Sequence, residues 1–155
     1  MLKNDFIKIN RLIALAVFLL TFIVYFDTMA PTVSYWDCGE FIAVSHTLGV
    51  PHPPGSPFFL LLGRIFSMIP FNEDVAFRVN IISPLVSALA VMLLYLSIVK
   101  VVTHWRGKVN SSMDSLIVFG GGVSGALAFA FTDSHWFNAV EAEVYAFSTF
   151  FTAIV

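Results

Sequence analysis

Apolar and polar positions alternate along this chain in long blocks. From Leu12 to Met29 the residues are apolar apart from Thr21, Asp27 and Thr28. About 20 helical residues at a rise of 1.5 Å cover a bilayer's hydrocarbon core, so this block predicts a first spanning helix over about 12–30, closed by Pro31. A turn-rich segment follows, to about Phe77. Within it, Trp36 to Leu48 has helix-compatible spacing, with Ser34 as a candidate cap. Pro51 to Pro57 holds four prolines in seven residues and cannot be regular helix. Phe58 to Ile69 is strongly apolar but too short to span, so it predicts a helix lying in the membrane interface. Arg78 to Val102 predicts a second span, with Pro84 kinking its first turns. Leu116 to Phe131, carrying Gly120, Gly121, Gly122 and Gly125, predicts a third, over about 115–132. Asp133 to Glu143 is a second polar segment. Tyr145 to Val155 starts a fourth helix and covers only part of a span.

The pattern therefore predicts an all-α integral membrane module. It has three complete spans, an outer loop over about 31–77 that carries interfacial helices, a second outer loop over about 133–144, and an incomplete span over 145–155. The chain reads as the front part of a larger membrane protein.

Composition strengthens this reading. Of 155 residues, 58% are hydrophobic and 12% charged, against about 25% charged in soluble domains. The formal net charge of −2 offers nothing to nucleic acid. The single cysteine, Cys38, excludes an internal disulfide and a cysteine-based metal cluster. The first apolar run is too long for a signal peptide and lacks a small-residue cleavage site.

Charge also predicts an orientation. If only the three long helices span, Lys3, Lys8, Arg11, Lys100, Arg106 and Lys108 share one side, and Arg64 and Arg78 take the other. The positive-inside rule then places the N-terminus in the cytoplasm. Asp27, Asp37, Glu40, Glu73, Asp74, Asp133, Glu141 and Glu143 fall outside, leaving Asp5 and Asp114 inside.

This topology brings two polar segments to one outer face. The first supplies Asp37 and Glu40, three apart and so on one side of a helical turn. The second supplies Asp133, His135, Glu141 and Glu143. A carboxylate in low-dielectric surroundings becomes a better base, suited to deprotonating a hydroxyl or binding a cation. Plainer readings stand beside these. Asp37 can cap its helix, Glu40 can pair with an arginine, and Glu141 and Glu143 can be a helix N-terminal pair. His46 and His52 can be satisfied loop histidines. Arg64 can snorkel to the interface, and Arg78 can pair with Glu73 or Asp74. Cys38 reads as a small packing residue. The glycines read as close helix packing rather than a phosphate loop. Trp36 and Trp136 read as interfacial anchors.

Three strings carry a resemblance: Tyr35-Trp36-Asp37-Cys38-Gly39-Glu40-Phe41, Pro51-His52-Pro53-Pro54-Gly55-Ser56-Pro57, and Trp136-Phe137-Asn138-Ala139-Val140-Glu141-Ala142-Glu143-Val144-Tyr145. They resemble the N-terminal region of the membrane proteins grouped as glycosyltransferase family 117, which are similar to protein O-mannosyltransferases of the GT-C fold. The resemblance covers nearly the whole chain from about residue 12.

It implies a cytoplasmic N-terminus, a site on the periplasmic or lumenal face, and an acidic general base early in the first outer loop. Asp37 matches that position, with Glu40 as the other candidate. It implies a polyprenyl-phosphate sugar as donor, drawn from the membrane lipid, and a protein Ser or Thr hydroxyl or another outer-face group as acceptor. Transfer would be a single inverting displacement, with no cofactor and no metal. Cationic groups would stabilise the departing phosphate. Arg64, Arg78, His52 and His46 are the outer-side candidates. Read from the residues themselves, Glu141 and Glu143 would support acceptor, metal or base. Members of that family are several times longer, so the rest of the polypeptide or partner membrane subunits would complete the site. Two competing functions remain at this stage: an ion- or proton-coupled transporter fragment, with Asp27 as its deepest acid, and a non-catalytic assembly subunit.

Overall fold

The computed structural model describes residues 3–107, 109 and 111–155. Among them the regular elements are helices: α1 (Lys3–Thr28), α2 (Cys38–Thr47), α3 (Pro57–Met68), α4 (Val75–Asn80), α5 (Ile82–Arg106), α6 (Ser112–Ala130), α7 (Asp133–Ala139) and α8 (Tyr145–Ile154). Three helical stretches are long and apolar enough to cross a membrane: Asp5–Thr28, Val75–Arg106 and Ser112–Ala130. The all-α membrane architecture expected from the sequence is therefore present. Lys108, one of the basic residues behind the predicted orientation, lies outside the described residues.

Local chemistry sets the helix limits. α1 starts well before Leu12, so the polar N-terminal residues continue the helix instead of preceding it. The second stretch is interrupted at Ile81, between α4 and α5. Pro84 has no N–H to give the Asn80 carbonyl four residues earlier, so the ladder misses that bond while Ile81 keeps helical backbone angles. α6 opens on a capping box, in which Ser111 and Asp114 each bond the other's backbone N–H.

α5 is the hub, packed against α1, α6 and α8. Ala14, Val17, Tyr25, Ala88, Val91, Tyr95, Val118 and Ala126 belong to the core of this bundle. Small residues let its helices approach. A Cβ on Gly122 would lie 2.8 Å from Val99 Cγ2, and one on Gly125 would lie 2.9 Å from Ile98 Cδ1. Close packing thus accounts for two of the four glycines, while nothing lies within 4 Å of a Cβ built on Gly120 or Gly121.

A second core lies over one end of the bundle. Cys38, Phe41, Ile42, Phe59, Leu60, Val79, Ile82, Ala142, Ala146 and Phe147 build it from α2, α3, α4, the start of α5, the segment before α8 and the start of α8. α3 turns Phe59, Leu60, Gly63 and Ser67 inward. Phe58, Leu61, Ile65 and Met68 remain exposed, at spacings that put them on one stripe. The helix is two-faced and twelve residues long.

Candidate active site

The segment that follows α1 is anchored by Asn80. Its fully buried side-chain amide donates to the carbonyls of Ala30 and Thr32, both at 2.9 Å. The Ala30 N–H donates to the Val140 carbonyl at 2.8 Å, tying the end of α1 to the end of α7. The sequence reading passed over Asn80, because a lone polar residue in an apolar run carries no signal of its partner.

The chain then turns sharply at Trp36, whose φ of 61° is in the left-handed region and whose side chain is 84% exposed. Such a backbone costs about 1–3 kcal/mol in a bulky residue. Asp37 follows at the helix N-cap position but makes no capping bond with its side chain. Its carboxylate is therefore left available, which removes the plain capping reading. Ser34 does not cap α2 either. Its hydroxyl donates to Glu141 Oε2, 107 residues along the chain.

Glu40 sits one turn after Asp37 and holds His52 by two bonds. The His52 backbone N–H donates to Oε1 at 2.8 Å, and the imidazole Nδ1 lies 2.6 Å from Oε2. His52 Nε2 is 3.9 Å from Asp37 Oδ2. The bond from His52 lowers the Glu40 pKa below the usual carboxylate value. The same bond raises His52 above its ordinary value. Glu40 thus has a histidine partner, not the arginine of its plainer reading. The proline-rich segment, with a cis Pro53–Pro54 bond and Gly55 at φ 81°, delivers His52 to this place.

Immediately behind lies a buried group. Cys38, Glu141 and Glu143 are 0%, 3% and 7% exposed. Glu143 Oε1 lies 4.0 Å from Cys38 Sγ, and its Oε2 accepts the Val144 N–H at 3.2 Å. The Glu143 N–H reaches Ser83 Oγ at 3.4 Å. Burial first, then the charges of Glu141 and Asp37, raise the Glu143 pKa. Burial, reinforced by the neighbouring carboxylates, pushes the Cys38 thiol up to about 12.

A cavity of about 300 Å³ joins the two groups, lined by Asp37, Phe41, His52, Pro54, Gly55, Ser56, Glu143, Val144 and Tyr145. Asp37, Glu40, His52 and Glu143 are thus brought together, with Glu141 in the wall behind. Arg64 and Arg78 are not among the lining residues. The Arg64 guanidinium bonds the His46 carbonyl at the end of α2. Arg78 Nη1 donates to the Ile69 carbonyl at 3.4 Å, and among the described residues it forms no ion pair with Glu73 or Asp74. Asp74 instead caps α4 through the Ala76 N–H at 2.7 Å. Asp133 lies on a separate hollow with Trp136 and Phe137. His135 packs 4.4 Å from the Phe129 ring, where burial lowers its pKa. Of the cationic candidates, His52 alone faces the cavity.

Known proteins place this arrangement. The chain is 32% identical over 160 residues to a protein O-mannosyl-transferase tmem260 of Dictyostelium discoideum, covering 99% of this chain and 18% of that protein. It is 31% identical over 143 residues to the Protein O-mannosyl-transferase TMEM260 of Mus musculus, covering 92% of this chain and 18% of that protein. The chain thus spans about a fifth of the length of these relatives. No solved structure matches. Residues 37–155, beginning at Asp37 and including the whole cavity lining, match the Protein O-mannosyl-transferase TMEM260 N-terminal domain, and the chain belongs to that family.

Proposed function

We propose that this chain forms the acceptor-activating part of a membrane glycosyltransferase. The enzyme moves a sugar from a polyprenyl-phosphate donor to a protein Ser or Thr hydroxyl, on the face opposite a cytoplasmic N-terminus. Asp37 is the general base. It takes the hydroxyl proton as the oxygen attacks the anomeric carbon, and the lipid phosphate leaves from the opposite side. The outer-face placement rests on the distribution of basic residues along the sequence.

The observation that carries this reading is the state of the Asp37 carboxylate. It makes no capping bond, stands at the mouth of a cavity, and follows a left-handed Trp36. Glu40 is the weaker base, because both of its oxygens hold His52 and its pKa is lowered. Its role is to orient His52 and favour the imidazolium. A cationic His52 is the group within this chain best placed to meet developing phosphate charge. The names of the relatives support a protein acceptor.

The test is transfer of labelled sugar from a polyprenyl phosphate to a Ser/Thr peptide by the complete polypeptide. Asp37→Asn should lower the rate about 100-fold or more, as expected for loss of a general base. Transfer at the parental rate would overturn the assignment.

A further inference from the structure

The transfer step proposed above assigns no role to the buried group behind the cavity. Cys38, Glu141 and Glu143 each offer one ligand atom, and these atoms lie within 4.8 Å of one another. An independent feature points to a missing partner. Glu141 is 97% buried by its 3% exposure, and its Oε1 has no hydrogen-bond partner among the described residues. Its other oxygen is held in place by the Ser34 hydroxyl. No lysine or arginine among the described residues forms an ion pair with either carboxylate. Buried as anions with no cation, these groups would cost more free energy than two bonds to neutral donors return, so the site calls for protons or a cation.

We propose that Cys38, Glu141 and Glu143 bind one divalent cation of borderline softness, Zn²⁺ foremost. A thiolate with carboxylate oxygens suits zinc, whereas Ca²⁺ and Mg²⁺ prefer shells made of oxygen alone. Tetrahedral zinc, with bonds of about 2.3 Å to sulfur and about 2.1 Å to oxygen, sets its ligand atoms about 3.4–3.6 Å apart. The 4.0 Å between Cys38 Sγ and Glu143 Oε1 is within a few tenths of an ångström of that spacing. Binding displaces the Cys38 proton to solvent, since the thiolate is the ligand. Glu143 lines the cavity, which provides an entry path. The ion clasps the start of α2 to the segment before α8 and supports the floor beneath Asp37. This departs from the expectation, drawn from the family resemblance, that no metal is held.

The experiment uses the intact chain purified in detergent, stripped with chelator, then loaded with Zn²⁺ alone or Co²⁺ alone. One zinc per chain by mass spectrometry, a thiolate-to-cobalt charge-transfer band, and a higher unfolding temperature on loading are expected. Cys38→Ser should abolish the band, and Glu141→Gln should weaken zinc binding by about tenfold or more. Asp133→Asn, outside the group, should change neither. Absence of stoichiometric zinc, or a cobalt band that survives Cys38→Ser, overturns the proposal. If the variants do not fold, a parental chain without the cobalt band overturns it equally. Metal content is read without any sugar transfer, so its failure leaves the transferase reading standing, and the reverse also holds.

Discussion

Asp37 and Cys38 are neighbours in the chain, yet the Asp37 side chain is 59% exposed and Cys38 is 0% exposed. Each anchors a three-residue group. Asp37, Glu40 and His52 form an open one from α2 and the proline-rich segment. Cys38, Glu141 and Glu143 form a closed one across more than a hundred residues. The open group has solvent and a histidine, whose bond to Glu40 lowers that carboxylate's pKa and raises its own. The closed group has burial and like charge, so it favours bound protons or a bound cation. One helical turn thus presents two opposite electrostatic environments. On the proposals above, chemistry on a substrate belongs to the first and attachment of the scaffold to the second.

Substitutions can break that division. The largest effect should come from Asp37→Asn, with sugar transfer falling about 100-fold or more while thermal unfolding in detergent stays unchanged. A loss of stability instead would make the open group structural. Next in size is Asn80→Ala, which removes both bonds to the loop leading into the site. It should lower stability by about 2 kcal/mol, read by denaturant unfolding. Ser34→Ala should cost about 1 kcal/mol, because it leaves the second oxygen of buried Glu141 without its donor.

Smaller effects lie in the pH dependence. The folded Glu143 pKa is raised, so the contribution of this group in metal-free protein is complete below the ordinary carboxylate pKa. It is lost as pH rises through the raised value. Glu143→Gln should flatten the stability–pH curve in that window. The smallest effect should be that of His52→Ala, since both partners of the exposed pair remain solvated. The folded His52 pKa is raised, so its contribution is present below about 6.5 and fades as pH rises through the folded value. The lowered Glu40 pKa makes that partner's contribution fade as pH falls through its folded value. A stability loss in His52→Ala as large as that in Ser34→Ala would erase the distinction between the two groups.

Much of the fold was legible in the residues. Blocks of apolar side chains must bury or meet lipid whatever their neighbours are, so long runs mark the spanning helices. Pro84 announced a disturbance, and the regular helix is interrupted at Ile81, three residues before it. Asp37, Glu40 and His52 could be singled out because they lie close in sequence among turn-forming residues. Arg64 and Arg78 could not be excluded from the cavity in the same way. Their reach depends on where α3 and α4 lie, and both bond backbone carbonyls at helix ends instead.

The sequence by itself determined the helical periodicity, the apolar lengths and the identity of the acidic and proline-rich strings, because each is a local property of neighbouring side chains. Only the tertiary structure decided which acids would stay wet and which would be sealed. Asp37 and Cys38 are separated by one peptide bond, and their difference is set by residues 141–145 folding over one side of α2. Burial is a property of packed neighbours rather than of residue type, so the open and closed carboxylates acquire their separate environments only when α2 meets the segment before α8.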